Sequence, residues 1–170
     1  NSTGWVPRPL QAAGNDFSRW CLIVSIAGIG MKTHLKELAA VGFKPVARHR
    51  HKNVTLYRQG EINFIINAEP DSFAQRFARQ HGPSVCAIAF RVQDAKAAYE
   101  RAISLGAWGY AHNAGPGELN IPAIKGIGDS LIYLVDRYGD RGNIYDVDFE
   151  FLAGVEHTPK GVGLTYIDHL

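Results

Sequence analysis

The residues best able to do metal chemistry stand near the C-terminal end of the sequence. His169 follows Asp168 at the end of a predicted strand, residues 164–170 (LTYIDHL), and a histidine that projects from a strand is a common metal ligand. A lone histidine is more often structural, and one imidazole cannot hold a catalytic metal. With the neighbouring carboxylate it supplies at most two ligands. From these residues alone, a structural role for His169 is therefore favoured over a metal site.

Three acidic residues alternate along a predicted strand at residues 143–151 (NIYDVDFEF): Asp146, Asp148 and Glu150. Carboxylates on one strand face could hold a divalent cation. However, apolar residues occupy the intervening positions, and any strand with one face in water shows this alternation. We interpret the acids as the solvated face of that strand.

Two other motifs also have a functional and a structural interpretation. His49-Arg50-His51-Lys52 places two imidazoles two residues apart, but the flanking cations disfavour a metal, and we predict a surface turn. Gly28-Ile29-Gly30 precedes a predicted helix as a phosphate loop would. Its third glycine is missing and no acidic partner stands at the usual distance, which favours a tight turn.

Composition excludes several classes of function. The 170 residues are 46% hydrophobic and 20% charged, enough to bury a core without metal or disulfides. The net charge of +2 comes from scattered residues, so we expect no nucleic-acid partner. The longest nearly apolar stretch, residues 21–31, is too short to span a bilayer, and we expect no membrane anchor.

The two cysteines indicate a reducing compartment. Cys21 and Cys86 lie inside apolar, strand-like segments, where a free cysteine usually behaves as a small buried hydrophobe. We predict two core thiols rather than a disulfide, and a cytoplasmic protein.

The chain repeats itself. A strand-like segment at residues 20–26 (WCLIVSI) precedes a helical stretch that ends near Gly42, and residues 85–90 (VCAIAF) precede one that ends near Gly106. The matching cysteines are 65 residues apart and the glycines 64. Residues 164–170 read as the opening strand of a third copy, which suggests a larger protein.

Periodicity completes both units. The first contains a helix at residues 31–42, a hairpin that turns at Gln59-Gly60 and a short helix at residues 71–80. In the second, Asp94 caps a helix that runs to Leu105. The predicted strands of this unit lie at residues 108–112, 118–125 and 131–136, followed by the strand at 143–151.

Each unit is therefore β-α-β-β-β, and the fold class is α+β with two tandem βαβββ modules that form one domain. The predicted boundaries are a tail or linker at residues 1–16, a first module with its connecting helix at 17–83, a second module at 84–152, an exposed connector at 153–163 and the first strand of a missing C-terminal catalytic domain at 164–170.

From Lys52 onward the sequence resembles the N-terminal half of the 4-hydroxyphenylpyruvate dioxygenase family, bacterial type. The resembling segments are collinear, and the most specific are LNIPAIKGIG and IDHL. They are KNVTLYRQGEINFIINAEPDSFA (52–74), HGPSVCAIAFRVQDAKAAYERA (81–102), GPGELNIPAIKGIGDSLIYLVDRYG (115–139), IYDVDFEFL (144–152) and GLTYIDHL (163–170). That family has the vicinal oxygen chelate, or glyoxalase-like, fold, whose unit is βαβββ. The first 30 residues depart from the family pattern.

The resemblance implies a non-haem Fe(II) oxidoreductase of tyrosine and phenylalanine catabolism. In that family two histidines and one carboxylate hold the iron. An aromatic 2-oxo acid substrate chelates it, and O2 serves as co-substrate to give homogentisate and CO2. His169 matches the first iron histidine, and the remaining ligands belong to the absent half. We therefore expect the fragment to be inactive and the full-length protein to be a homo-oligomer.

Three other functions are compatible with the sequence. A hydroxymandelate synthase uses the same substrate and metal. A 3-dehydroshikimate dehydratase fused to a dioxygenase-like tail would carry such a domain. A non-catalytic dimer of this fold could bind a small molecule in the cleft between paired modules.

Overall fold

The computed structural model describes residues 23–27, 32–111, 114–115 and 117–168, and side chains are described from residue 35 onward. Several predictions fall outside these residues. They are the tail at residues 1–16, the fold start at residue 17, the Cys21 thiol, the turn at residues 28–30 and the metal ligand His169.

In the described part of the chain, nine strands and four helical segments follow one another. They are β1 (Ile23–Ala27), α1 (Lys32–Ala40), β2 (Lys44–His49), β3 (Val54–Gln59), β4 (Ile62–Asn67), α2 (Phe73–His81), β5 (Ser84–Arg91), α3 (Ala95–Ser104), β6 (Gly109–Tyr110), β7 (Ala123–Lys125), β8 (Leu131–Val135), α4 (Tyr145–Asp148) and β9 (Phe149–Phe151). Short 3-10 turns occupy Ile127–Asp129 and Gly139–Arg141.

The strands form one sheet in the order β6-β7-β8-β5-β1-β4-β3-β2-β9. Within each module the first strand pairs in parallel with the last, β1 with β4 and β5 with β8. The modules meet where β1 and β5 pair antiparallel, and β9 adds a strand beside β2 at one edge. The predicted α+β fold of two tandem βαβββ modules is confirmed.

The repeat extends to the helix ends. Gly42 and Gly106 follow α1 and α3 with φ of +92° and +95°. In both, the glycine N–H donates to the carbonyl three residues back, and the next N–H donates to the carbonyl five back, at 2.9–3.0 Å. This is the Schellman arrangement, which needs a left-handed residue that glycine adopts without strain.

Capping side chains explain where α2 and α3 begin. The Asp94 carboxylate accepts the Ala97 N–H at 2.8 Å and starts α3, as predicted. The Ser72 hydroxyl accepts the Gln75 N–H at 3.1 Å and starts α2 two residues after the predicted position.

The β3–β4 hairpin also forms, with its two-residue loop at Gly60-Glu61.

Two apolar clusters hold the sheet. One, around Leu56 and Phe149, lies on the face that α4 and β9 close over. The other lies under α2, where Phe77 packs with Cys86, which is 1% exposed and unbridged. Cys86 is therefore the core thiol that was predicted. Among the described residues no helix is both long and apolar enough to cross a membrane.

The strand predicted over residues 143–151 is wrong over its first part, where α4 forms one helical turn. The Asn143 amide oxygen accepts the Tyr145 N–H at 3.0 Å, and the Asp146 carboxylate accepts the Asn143 N–H at 3.1 Å. Such local bonds give the backbone an alternative to a ladder. The prediction that Asp146, Asp148 and Glu150 share one strand face is therefore wrong, because the first two lie in α4.

The connector predicted over residues 153–163 is exposed except at Val155, which is half-buried, and at Pro159. Residues 157–164, here called the strap, lie against the β3–β4 hairpin. Pro159 is fully buried, and its carbonyl accepts the Gly60 N–H at 2.7 Å. The strap is thus part of the packed domain.

One buried side chain holds the strap. Gln59 is 0% exposed, and its Oε1 accepts the N–H groups of Val162 at 3.0 Å and Leu164 at 3.1 Å. Its Nε2 donates to the Val41 carbonyl at 2.7 Å. Gln59 therefore joins the strap to the end of α1. Beyond the strap, residues 165–168 form no strand, contrary to the prediction for 164–170.

Candidate functional site

The sheet curls around a cavity of about 230 Å³, here called the cup. Strands β8 and β9 both line it, although six steps of the strand order separate them. In a flat sheet that separation would be about 29 Å, so the sheet must be strongly curved. The walls are apolar, with Val54, Ile65, Ala89, Val135 and Phe149 among them.

Charged groups are gathered at one side of the cup. The Glu118 carboxylate lies 2.6 Å from Lys52 Nζ and 3.7 Å from His49 Nε2, and it accepts the Gly115 N–H at 2.8 Å. Asp148 also lines the cup, where its carboxylate accepts the Leu119 N–H at 3.0 Å. Four ionisable side chains therefore face an apolar interior.

The backbone around β2 fixes the His49 ring. Its Nδ1 accepts the His51 N–H at 3.1 Å, so in the neutral ring the proton sits on Nε2, facing Glu118. The ring stands edge-on to Phe149, with centroids 5.3 Å apart, and the side chain is only 9% exposed. The surface turn predicted for residues 49–52 is wrong for this imidazole, because its ring is packed into the cup.

Burial and charge set the protonation of the polar groups. Burial lowers the pKa of His49 below 6.5; Glu118 and Asp148 oppose this, and Lys52 and His51 add to it. For Glu118, burial alone would raise the pKa. Hydrogen bonds from Lys52 and Gly115, with the charges of Lys52 and His49, bring it below 4.5 instead. At neutral pH the cup therefore presents a neutral imidazole and a carboxylate.

A half-buried phenol completes the lining. Desolvation raises the pKa of Tyr133 to about 12, with smaller contributions from Tyr110 and Cys86. Tyr133 thus stays protonated throughout the physiological range. The cup can hold a small, largely apolar molecule and offer it hydrogen bonds from a few convergent polar groups.

Acid is expected to lower the stability of the fold in two steps. Because the folded-state pKa of His49 lies below 6.5, the unfolded chain binds more protons as the pH falls, so this contribution is present above 6.5 and lost below it. The Glu118 contribution is present above 4.5 and lost as the pH falls through its lower folded value. Urea unfolding followed from about pH 8 to about pH 3 measures both steps.

Matched variants assign the upper step. His49→Gln removes the titrating ring, so the loss of stability just below pH 6.5 becomes smaller than in the parent. His51→Gln alters an exposed imidazole two residues away and keeps the step. The same pH slope in His49→Gln and the parent would contradict the assignment.

The predicted site residues lie in different places. Asp148 lines the cup, but Asp146 and Glu150 do not. Within the described ranges, no group of three or more His, Cys, Asp or Glu side chains could hold a metal ion. Sequence reasoning missed Glu118, which follows an irregular stretch without periodicity and so gives no signal of its position.

Comparison with known proteins places the chain in a family. The family model described as "Hydroxyphenylpyruvate dioxygenase, HPPD, N-terminal" matches residues 21–150. A 4-hydroxyphenylpyruvate dioxygenase of Pseudomonas sp. (strain P.J. 874) is 58% identical over 130 residues, which are 76% of this chain and 36% of that protein. The chain thus spans about a third of that relative's length.

Two further matches extend the comparison. A 3-dehydroshikimate dehydratase of Pseudomonas aeruginosa is 45% identical over 133 residues, 78% of this chain and 20% of that protein. A solved structure of a "xylose isomerase-like TIM barrel/4-hydroxyphenylpyruvate dioxygenase fusion protein" aligns with a TM-score of 0.67 and 37% identity, covering 78% of this chain and 21% of that chain. The chain belongs to the hydroxyphenylpyruvate dioxygenase N-terminal family.

Proposed function

We propose that the chain is the N-terminal part of an Fe(II)-dependent 4-hydroxyphenylpyruvate dioxygenase, which converts 4-hydroxyphenylpyruvate and O2 to homogentisate and CO2. The observation that carries this is the 58% identity to a protein of that name over 130 residues. The βαβββ architecture of both modules agrees with it. The whole protein would act in tyrosine catabolism in the cytoplasm, as a homo-oligomer.

The described residues do not fit a complete iron site. Fe(II) in this chemistry needs two histidines and a carboxylate on one face, and the described part of the chain holds no such group. The ligand that we propose here is His169, with the other two supplied by the rest of the protein. Bound Fe(II) would supply O2 activation and chelation of the 2-oxo acid.

The two βαβββ modules of this chain then have a supporting role. The described cup has apolar walls and a Lys52–Glu118 ion pair of 2.6 Å across its charged side. We propose that the sheet supports the catalytic half and contributes to contacts between subunits, while substrate and O2 bind in that half.

The test uses the natural full-length protein and the 170-residue chain in parallel. Homogentisate is followed by chromatography and bound iron by elemental analysis. We expect turnover by the full-length protein, none by the 170-residue chain, and at least a hundred-fold loss of activity with loss of iron in full-length His169→Ala. His51→Ala, an exposed imidazole, should keep both. Homogentisate from the 170-residue chain alone would overturn the proposal.

A second candidate rests on the match to the dehydratase. In that case the natural protein would carry a barrel domain and would dehydrate 3-dehydroshikimate, and this chain would be part of its dioxygenase-like region. Assay of the full-length protein with 3-dehydroshikimate and with 4-hydroxyphenylpyruvate separates the two functions. The dehydratase product without homogentisate would favour the second candidate.

A further inference from the structure

A second cavity, of about 380 Å³, lies at the end of the domain where β3, β5 and β8 finish. Val135, Ile144 and Tyr145 line both this cavity and the cup, so the two stand back to back. Three arginines line it, together with one acidic residue, Glu61. We call it the arginine cavity, after Arg58, Arg91 and Arg137.

Arg58 is the most unusual of these residues, because it is only 8% exposed. It occupies an inward position of β3, in line with the buried Val54 and Leu56. A buried cation is costly unless it is paired or solvated by hydrogen bonds. Within the described residues no carboxylate lies within ion-pair distance of Arg58.

Neutral groups hold the Arg58 guanidinium in place instead. Its Nε donates to the Asn63 amide oxygen at 2.7 Å, and Nη1 donates to the His157 carbonyl at 3.0 Å. The aromatic rings of Tyr145 and Phe151 face it at 5.3 and 5.7 Å. As far as the described residues go, these contacts orient the group without supplying an opposite charge, and they use two of its five N–H donors.

The other two arginines add positive charge at the same cavity. Arg91 lies over the Tyr138 ring at 5.3 Å, and its contact with Glu61 is long, 3.8 Å, and solvent-exposed. Such pairs contribute little. Three guanidinium groups and one carboxylate therefore line the cavity.

We propose that the arginine cavity binds a small organic anion through a carboxylate or phosphate group. Planar guanidinium groups match both oxyanions with paired N–H donors. The volume lies in the range of small-molecule sites. The buried Arg58 charge is compensated when the anion is bound. This inference is independent of the proposed dioxygenase activity.

The test is a titration of the chain with benzoate and, separately, with phenyl phosphate at constant ionic strength. Calorimetry gives the affinity, and the Arg58 Nε–H resonance reports the site. We expect saturable binding that shifts this resonance. Arg137→Gln, at an exposed position, should weaken binding about ten-fold without unfolding the chain. The ratio of the affinities for benzoate and phenyl phosphate identifies the preferred oxyanion.

Two controls keep the result interpretable. Arg101→Gln removes an exposed arginine on α3, away from the cavity lining, and should leave binding unchanged. Arg58→Lys keeps a cation but not the planar donors, and should lose binding even if stability is retained. Equal affinity in Arg137→Gln and the parent overturns the proposal, as does the absence of saturable binding. Binding of an acidic hexapeptide but of neither small anion reassigns the cavity to a peptide segment and also overturns it.

Discussion

Gly42→Ala is expected to destabilise the domain by about 3 kcal/mol or more, far beyond the usual effect of a helix-end substitution. Gly42 has φ of +92°, where a Cβ is strained. An added Cβ would also lie 2.7 Å from Gly161 Cα and 2.9 Å from the Val162 nitrogen in the strap. Backbone atoms cannot rotate aside as a flexible side chain does, so the strap must move.

The repeat supplies the matched control. Gly106 ends α3 in the same Schellman arrangement with φ of +95°, and a Cβ there would meet nothing within 4 Å. Gly106→Ala should therefore cost only the backbone strain, about 1–2 kcal/mol. Urea unfolding of both variants gives the difference, which isolates the contact with the strap. Equal losses in the two variants would show that the strap does not press on Gly42.

Much of the fold could be predicted because its signals are local and occur twice. Asp94 and the two helix-end glycines form hydrogen bonds with residues only three to five positions away, so their role can be inferred from the local sequence. The strand pattern of β3 and β4 is equally local. Once both modules were recognised as βαβββ units, the fold class followed from repetition.

What could not be predicted depends on partners distant in the chain. The sequence around His49 indicates a basic surface turn until Glu118 is brought beside it. Lys52 bonds to Glu118, 66 residues away, and Gln59 bonds to Leu164, 105 residues away. At α4, local hydrogen bonds of Asn143 prevailed over an alternating pattern. Hydrophobic periodicity predicts which side chains are buried, but not which residues distant in the sequence they contact.

One signal for the arginine cavity was present in the sequence. Val54, Leu56 and Arg58 share the inward face of β3 by strict alternation. An arginine at an inward strand position is either paired or functional, since an isolated buried charge is too costly. The alternation therefore marks Arg58 as a candidate from the sequence, as it does Arg91 on β5.

Gln59→Ala is expected to cost about 3–5 kcal/mol and to release the strap. The substitution removes a fully buried side chain and its three hydrogen bonds, which leaves a cavity and the Val41 carbonyl without its Nε2 donor. Both losses are of the kind that produce large effects. Urea unfolding measures the stability, and amide exchange at Val162 and Leu164 measures the strap directly.

Two further variants separate packing from hydrogen bonding. Gln59→Glu keeps an acceptor for Val162 and Leu164 but puts an oxygen where Nε2 donates to Val41, so amide protection should persist while stability falls. Gln80→Ala, at an exposed position on α2, should change stability by no more than about 0.5 kcal/mol. If Gln59→Ala left both amides as protected as in the parent, Gln59 would not be what holds the strap. The buried contacts of Pro159 and Gly60 would then have to do so.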